Sequence, residues 1–390
     1  MTKVKISSSK SLVNRYLILK EGHPMLDLKW FSKAEDVLNL ESALKSVASN
    51  KTFELGEGGT TLRFFSIYLS SFSGEWVLKC KESLLKRPQT ELFSALKALG
   101  AELKQTDSKT LILKSVGWKK KEIKIEMKDS TQILTGLVLA ALSRGLPLKV
   151  KLKNVGQNSD YFNMTLAFVE TLGFSISLIE DFVDVPPKQK ILNSQKSLIE
   201  PDWSSAAFLM VLGALKKDLC VEGLNAQSLQ PDAVIRTVLS EIGADTILEG
   251  CVKPGELPYS GFTFNVQKCP DLFPVLSVLA CFCKGKSKIY GAPQLKSKES
   301  NRIDQMHNIL SLCGYKNEVL DDGMLIEGCG LEILKDSSFD FDVSKDHRLY
   351  MATEILSAMG YRVKALGSDS ILKSFAEYKE LKKGALSCFF

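Results

Sequence analysis

The chain has 390 residues, 45% of them hydrophobic and 25% charged, with 12 prolines and a formal net charge of +6. This composition is globular, without a biased tract, and the length suffices for two or three domains with well-filled cores. No Lys/Arg-dense arm or aromatic-studded basic stripe occurs, so nucleic acid is not an expected partner and the mild positive balance suits acidic small molecules.

In chain order, a first helix opens at Ser9-Lys10-Ser11, carries Arg15 and ends at Gly22, and a second runs from Asp36 to Asn50. A third opens at Gly58-Gly59-Thr60-Thr61 with Arg63 and ends at Gly74. A fourth follows Lys86-Arg87-Pro88 and ends at Gly100, with β-rich strings at 101–105 and 110–114 behind it. Two more open at Asp129-Ser130-Thr131-Gln132 and Asn158-Ser159-Asp160-Tyr161, ending at Gly145 and Gly173 with a strand at 148–152 between them. The second half repeats the scheme. Its helices open at Pro201-Asp202, Pro231-Asp232, Pro270-Asp271, Lys298-Glu299-Ser300-Asn301-Arg302, Lys345-Asp346-His347-Arg348 and Lys373-Ser374-Phe375. They end at Asp218, Gly243, Gly285, Gly314, Gly360 and Gly384.

Glycine after an apolar helical stretch is left-handed C-cap punctuation, and Asn tolerates the same conformation. The caps form two interleaved series, each recurring roughly every 70 residues, as in a repeat protein. The expected fold is therefore α/β, with two lobes and six β-α-β-α-β-β units, three per lobe. The first unit is shorter by roughly 20 residues, the size of one β-hairpin. The expected boundaries are an N-terminal lobe at 9–200 and a C-terminal lobe of 1–8 plus 201–390. A hinge is expected near 8–9 and 199–202, where Pro201 interrupts the chain.

The N-terminus lacks the apolar stretch of a secretory signal, and the longest apolar segments, such as 134–142, fall far short of a membrane span. A cytoplasmic protein is expected. Nine cysteines are scattered singly, and Cys281 and Cys283 match neither a metal knuckle nor a CxxC motif, so reduced core thiols are expected. His23, His307 and His347 have no ligand-like spacing, and no metal site is expected.

Ser, Thr and Asp at helix starts are ordinary N-caps. That role leaves Lys10, Arg15, Arg63, Arg87, Lys298, Arg302, Arg348 and Lys373 unexplained. Cations are disfavoured there because the helix dipole already places partial positive charge at the N-terminus. Their accumulation points to anions held jointly by side chains and free backbone N–H groups.

The strings Ser9-Lys10-Ser11-x-x-Asn14-Arg15, Gly59-Thr60 with Arg63, Lys86-Arg87-Pro88, Pro270-Asp271, Lys298-Glu299 with Arg302, Asp346-His347-Arg348 and Lys373-Ser374-Phe375 occur in that order. From about residue 9 to 378 the chain resembles the 3-phosphoshikimate 1-carboxyvinyltransferase (5-enolpyruvylshikimate-3-phosphate synthase) family. The resemblance implies transfer of the enolpyruvyl group of phosphoenolpyruvate to the 5-hydroxyl of shikimate 3-phosphate, with release of phosphate. It implies no metal or organic cofactor, and a monomer is expected. By position, Ser11 and Arg15 would hold the shikimate carboxylate. Ser130, Thr131, Gln132, Asn158 and Tyr161 would serve the shikimate phosphate, and Gln294, Lys298 and Asp271 its hydroxyls. Lys10, Gly59, Arg87, Gln132, Arg302, Arg348 and Lys373 would surround phosphoenolpyruvate. Asp271 would be the base for the 5-hydroxyl and Glu299 the acid for the methylene carbon, with Lys10 also at the reacting centre. Gly59 leaves room for glyphosate, as in sensitive members of the family.

Five positions depart from the family pattern: Glu57 and Gln294 replace Asn and Asn158 replaces Ser, while Asn301 replaces Asp and Phe64 replaces Pro. Three other readings compete. A UDP-N-acetylglucosamine enolpyruvyl transferase would carry a Lys-Asn pair and a reactive loop cysteine, whereas Ser11 follows Lys10 and Cys80 lacks the matching loop. An RNA 3′-phosphate cyclase would need a nucleotide-accepting histidine and a basic track. A non-catalytic anion-binding relative would have no need of Lys10, Asp271 and Glu299 together.

Overall fold

The computed structural model describes residues 1–126, 130–153, 160–189, 191, 198–247, 250–334, 338–343 and 345–390. The chain folds as two units: Ser8–Ile199, and Met1–Ser7 with Glu200–Phe390. Each has its own hydrophobic core. No helix among the described residues is long and apolar enough to cross a membrane.

The Ser8–Ile199 unit contains two four-stranded sheets of identical plan. In the first, Thr52–Gly56 pairs parallel with Ser73–Cys80, which pairs antiparallel with Thr110–Val116, and Glu102–Gln105 closes the far edge. The second repeats this with Glu122–Glu126, Leu148–Lys153, Phe182–Val185 and Ser177–Ile179. The other unit carries Thr2–Val4, Leu219–Val221, Cys251–Lys253 and Asp245–Ile247 in one sheet. Thr263–Asn265, Lys284–Tyr290, Gly323–Cys329 and Lys316–Leu320 form another. The six-repeat α/β reading holds, with both outer copies reduced. Among the described residues the first copy keeps only helices Lys10–Gly22 and Glu35–Lys45 and a single parallel bridge, Lys29 to Leu198. The last copy has one parallel pair, Phe339–Asp342 with Val363–Leu366, and among the described residues no hairpin follows it. Only the first reduction was legible from the cap spacing.

One leading strand comes from far along the chain. Thr2–Val4 leads the first sheet of the unit that resumes at Glu200, and Leu198 bridges to the first copy of the other unit. A parallel pair cannot be closed by a hairpin and needs a long crossover. For the first sheet of the Glu200–Phe390 unit the leading strand comes from the N-terminal end of the chain, and the chain passes between units twice.

Elsewhere the crossover is a central helix. Lys10–Gly22, Gly59–Ser70 and Gln132–Arg144 pack on one another in one unit, and Trp203–Lys216, Phe273–Cys281 and His347–Ala358 in the other. They are apolar nearly all round because sheets and neighbouring helices cover every face, as at Trp203, Leu134 and Phe273, each with no exposed surface.

Gly100, Gly145, Gly173, Gly243, Gly314 and Gly360 have positive φ at helix ends, as the punctuation reading requires. Gly285, also at positive φ, lies inside the strand Lys284–Tyr290, beyond the helix end at Cys281. Gly22, Asn50, Gly74 and Gly384 do not have positive φ. Gly22 is selected by close approach instead: a Cβ there would lie 1.6 Å from the Ser143 carbonyl oxygen of the neighbouring central helix. Gly74 lies inside a strand against the Trp76 ring. The expectation of wholly reduced cysteines also needs correction. Cys220 and Cys251, directly opposite on antiparallel strands, form a disulfide, and seven cysteines are free.

Gly22→Ala should destabilise the protein by about 2 kcal/mol or more through overpacking between two central helices. The urea midpoint reads this out, and an unchanged midpoint would refute the close-approach role.

Candidate active site

In the Ser8–Ile199 unit the starts of the central helices gather. Ser9 caps Lys10–Gly22, its hydroxyl accepting from the Leu12 N–H at 3.4 Å. Lys10 in the first turn donates to Asp36 Oδ2 at 3.0 Å. Asp36 also accepts at its carbonyl from Thr61 Oγ1 at 2.8 Å, and a Cβ on Gly58 would fall 2.6 Å from its Oδ1. Asp36 thus links Lys10 to the Gly58-Gly59 helix start, where any side chain at 58 would have to displace the Asp36 carboxylate or the Thr61 hydroxyl. Arg63 donates to Gln132 Oε1 at 2.5 Å and to Gln89 Oε1 at 3.3 Å, while Gln132 Nε2 donates to Thr60 Oγ1 at 3.0 Å. Ser130 Oγ accepts from the Gln132 N–H at 3.2 Å, and Thr131 holds the N-cap position beside it.

Arg15 lies one turn in from Lys10 and is buried. Its guanidinium donates to Thr165 Oγ1 at 2.9 Å, the Ser11 carbonyl at 2.7 Å and the Tyr161 carbonyl at 3.0 Å. It also lies 5.9 Å from the centroid of the Phe64 ring, within cation–π range. Every acceptor is neutral, so the charge is desolvated without an anion. Burial, opposed only by Tyr161, pulls its pKa down to about 9. A planar carboxylate would complete this site.

In the Glu200–Phe390 unit the cations are paired. Arg302, the first residue of Arg302–Leu312, is essentially inaccessible and meets three carboxylates. Its Nε donates to Asp346 Oδ2 at 2.8 Å, Nη1 to Asp271 Oδ1 at 2.8 Å and Nη2 to Glu299 Oε2 at 3.0 Å. Arg348 Nη2 donates to Asp271 Oδ2 at 2.9 Å and its Nη1 to the Ser204 carbonyl at 3.0 Å. Lys373 Nζ donates to Glu299 Oε1 at 2.7 Å. Residues from the starts of all three central helices of this unit therefore meet around Asp271 and Arg348.

Burial alone would raise the Asp271 pKa, but Arg348, Arg302 and Lys298 outweigh it and hold the carboxyl well below the usual carboxylate range. Burial likewise disfavours the charged form of Arg302, and Asp346, Glu299 and Asp271 more than compensate, pushing its pKa up. Arg348 is raised for the same reason, with Asp271 the leading partner against burial. The network can hold a small anion and place carboxylates of distinct surroundings around it.

A model of the EPSP synthase (3-phosphoshikimate 1-carboxyvinyltransferase) family matches residues 25–381. The chain belongs to this family. It is 30% identical over 387 residues to the 3-phosphoshikimate 1-carboxyvinyltransferase of Pyrococcus furiosus, covering 96% of this chain and 91% of that one. Against that of Archaeoglobus fulgidus it is 29% identical over 343 residues, covering 87% and 80%. EPSP synthase from Acinetobacter baumannii superposes with a TM-score of 0.73 at 21% identity, covering 98% of this chain and 96% of that one. The enolpyruvyl transferase NikO from Streptomyces tendae gives 0.66 at 12% identity over 98% and 94%. These two structures show a shared fold.

Within this member of the family, the expected residues fall in two sets. Lys10, Ser11, Arg15, Gly59, Ser130, Thr131, Gln132 and Tyr161 stand at the gathered helix starts of one unit. Arg87 lies in the turn between Glu82–Leu85 and Thr90–Leu99, two residues from the Gln89 that binds Arg63. Asn158 lies outside the described residues. In the other unit Asp271, Glu299, Arg302, Arg348 and Lys373 form one network, and Lys298 is close enough to Asp271 to lower its pKa. Gln294 stands in the 3-10 turn Pro293–Ser297, its carbonyl accepting from Ser297 Oγ at 3.2 Å. Lys373 does not open a helix: it ends the 3-10 turn Ser368–Lys373, and Glu299 rather than a helix dipole fixes its charge.

Two departures from the family pattern acquire reasons. Asn301 is the N-cap of Arg302–Leu312, its Oδ1 accepting from the Asp304 N–H at 3.3 Å, work that Asn and Asp do equally well. The Glu57 carboxylate accepts a hydrogen bond from Ser83 Oγ. Asp36 and Asp346 were not assigned roles from sequence, because an aspartate at a helix start reads as a cap. Their burial, with Asp346 wholly inaccessible, is what marks them as counterions.

Arg15→Met should raise the denaturation midpoint of the ligand-free protein by the equivalent of about 1 kcal/mol, since a buried charge without an anion is replaced by an apolar chain. A lower midpoint would show that Arg15 is satisfied without a ligand.

Proposed function

We propose that this protein transfers the enolpyruvyl group of phosphoenolpyruvate to the 5-hydroxyl of shikimate 3-phosphate and releases phosphate, a step of aromatic biosynthesis. The observation that carries the reading is Asp271 set between Arg302 and Arg348, with Glu299 joining Arg302 to Lys373. Family membership supports the choice of substrates.

In this reading Arg15 and Ser11 receive the shikimate carboxylate. Ser130, Thr131, Gln132, Asn158 and Tyr161 receive its phosphate, and Gln294 and Lys298 its hydroxyls. Lys10, Gly59, Arg87, Gln132, Arg302, Arg348 and Lys373 receive phosphoenolpyruvate. Glu299 gives a proton to the methylene carbon, and the adjacent carbon becomes electrophilic. Asp271 takes the proton of the 5-hydroxyl as its oxygen attacks that carbon. Loss of phosphate and of a proton from the new methyl group restores the double bond, so atoms balance without a redox step. Cations preorganised around the developing charge lower the barrier without reorganisation during reaction.

Residues of both units are assigned to the substrates, and the chain near 8–9 and 199–202 is the proposed hinge. The proposal extends to a monomer in the cytoplasm, and to glyphosate as a competitor of phosphoenolpyruvate beside Gly59. A Cβ at Gly59 would sit 3.1 Å from Arg63 Nη1 and crowd that corner.

Purified protein should release inorganic phosphate only when both substrates are present, and Asp271→Ala should lose ~10²-fold or more of kcat while still binding shikimate 3-phosphate. No release above the single-substrate controls would refute the reaction, and unchanged turnover in Asp271→Ala would remove it as the base.

A further inference from the structure

In the Glu200–Phe390 unit, the cations assigned to phosphoenolpyruvate already hold carboxylates where an anion would bind. Asp271 spans two guanidiniums, with Oδ1 on Arg302 at 2.8 Å and Oδ2 on Arg348 at 2.9 Å. A carboxylate or phosphate ligand would use the same donors in the same way. Glu299 repeats the arrangement between Arg302 at 3.0 Å and Lys373 at 2.7 Å.

Asp346 is different in kind. It accepts from Arg302 Nε at 2.8 Å and Nη2 at 3.3 Å, from Ser300 Oγ at 3.1 Å and from the Arg348 N–H at 3.0 Å, where it caps His347–Ala358. Its side chain is 0% exposed, against 27% for Asp271 and 14% for Glu299. One carboxylate is sealed in with four donor contacts. The other two face accessible space, Asp271 between Arg302 and Arg348 and Glu299 between Arg302 and Lys373.

We infer that Asp271 and Glu299 are built-in stand-ins for the substrate's anionic groups, holding Arg302, Arg348 and Lys373 until phosphoenolpyruvate displaces them, while Asp346 stays on Arg302 as a fixed positioning residue. Naming phosphoenolpyruvate rests on the proposed reaction, but the exchange requires only a small carboxylated or phosphorylated anion. Before the exchange, the two carboxylates supply negative charge to cations that are buried in the empty protein, where uncompensated charge is costly. The exchange also couples binding to chemistry. A carboxylate gripped by two guanidiniums is a poor base, and one whose oxygens both accept from cations is a poor proton donor. When the ligand takes those cations, Asp271 regains basicity and Glu299 can take up a proton. The acid and base are armed by the charge of the substrate they act on.

The test is calorimetric titration of phosphoenolpyruvate alone, and of inorganic phosphate alone, into wild type, Asp271→Asn, Glu299→Gln and Asp346→Asn. Removing the charge of a competitor while keeping its shape should tighten phosphoenolpyruvate binding about tenfold in Asp271→Asn and Glu299→Gln, with phosphate shifting in the same direction. Asp346→Asn should weaken both ligands, because Arg302 and the helix start of Arg348 lose their fixed partner.

A residue that merely contacts the ligand or supports the fold would weaken binding when neutralised. Equal or weaker binding in both Asp271→Asn and Glu299→Gln therefore overturns the inference, and a gain in either supports it. Should one variant misfold, the other carries the test. Absence of wild-type turnover with both substrates would sink the proposed reaction, yet the phosphate titration would still decide the exchange.

Discussion

A guanidinium removed from water must be neutralised nearby, and Arg302 is the place where this protein meets that demand most heavily. Its three carboxylates come from separate stretches of chain: Asp271 before Phe273–Cys281, Glu299 just ahead of Arg302–Leu312, and Asp346 capping His347–Ala358. The ion network ties two repeats of one unit together and fixes the donors that face the ligand. Buried pairs add little net stability over well-packed apolar residues, because desolvation consumes most of the Coulombic gain. Their value here is placement.

The repeat makes such a convergence possible. Each complete copy joins parallel strands through a central helix, and three such helices pack together in each unit with their starts at one end. Free N–H groups at those starts favour anions. The unit built from Ser8–Ile199 leaves Arg15 desolvated among neutral acceptors, whereas the Glu200–Phe390 unit supplies Arg302, Arg348 and Lys373 with carboxylates of their own. One unit waits for charge and the other exchanges it.

Much of this was legible in the sequence because it rests on local rules. The left-handed glycines Gly100, Gly145 and Gly243 follow helix ends, so their spacing revealed the repeat. Cations in first turns, such as Lys10 and Arg302, stood out against the helix dipole. What sequence could not show depends on long-range contact. Gly22 reads as a cap but is chosen by the Ser143 carbonyl. Lys373 reads as a helix start but is placed by Glu299, 74 positions away in the chain. Asp36 and Asp346 read as ordinary caps, and Cys220 and Cys251 as separate thiols, until strands and helices bring their partners alongside. The placement of Thr2–Val4 beside Leu219–Val221 leaves no local trace, since both look like any short strands.

Product identity tests the central claim most directly. Mass spectrometry of a reaction containing shikimate 3-phosphate and phosphoenolpyruvate should show a single new species, shikimate 3-phosphate plus one enolpyruvyl group, formed in equal amount to the inorganic phosphate released. Phosphate released without that adduct, or an adduct that forms equally well with shikimate lacking its phosphate, would contradict the account.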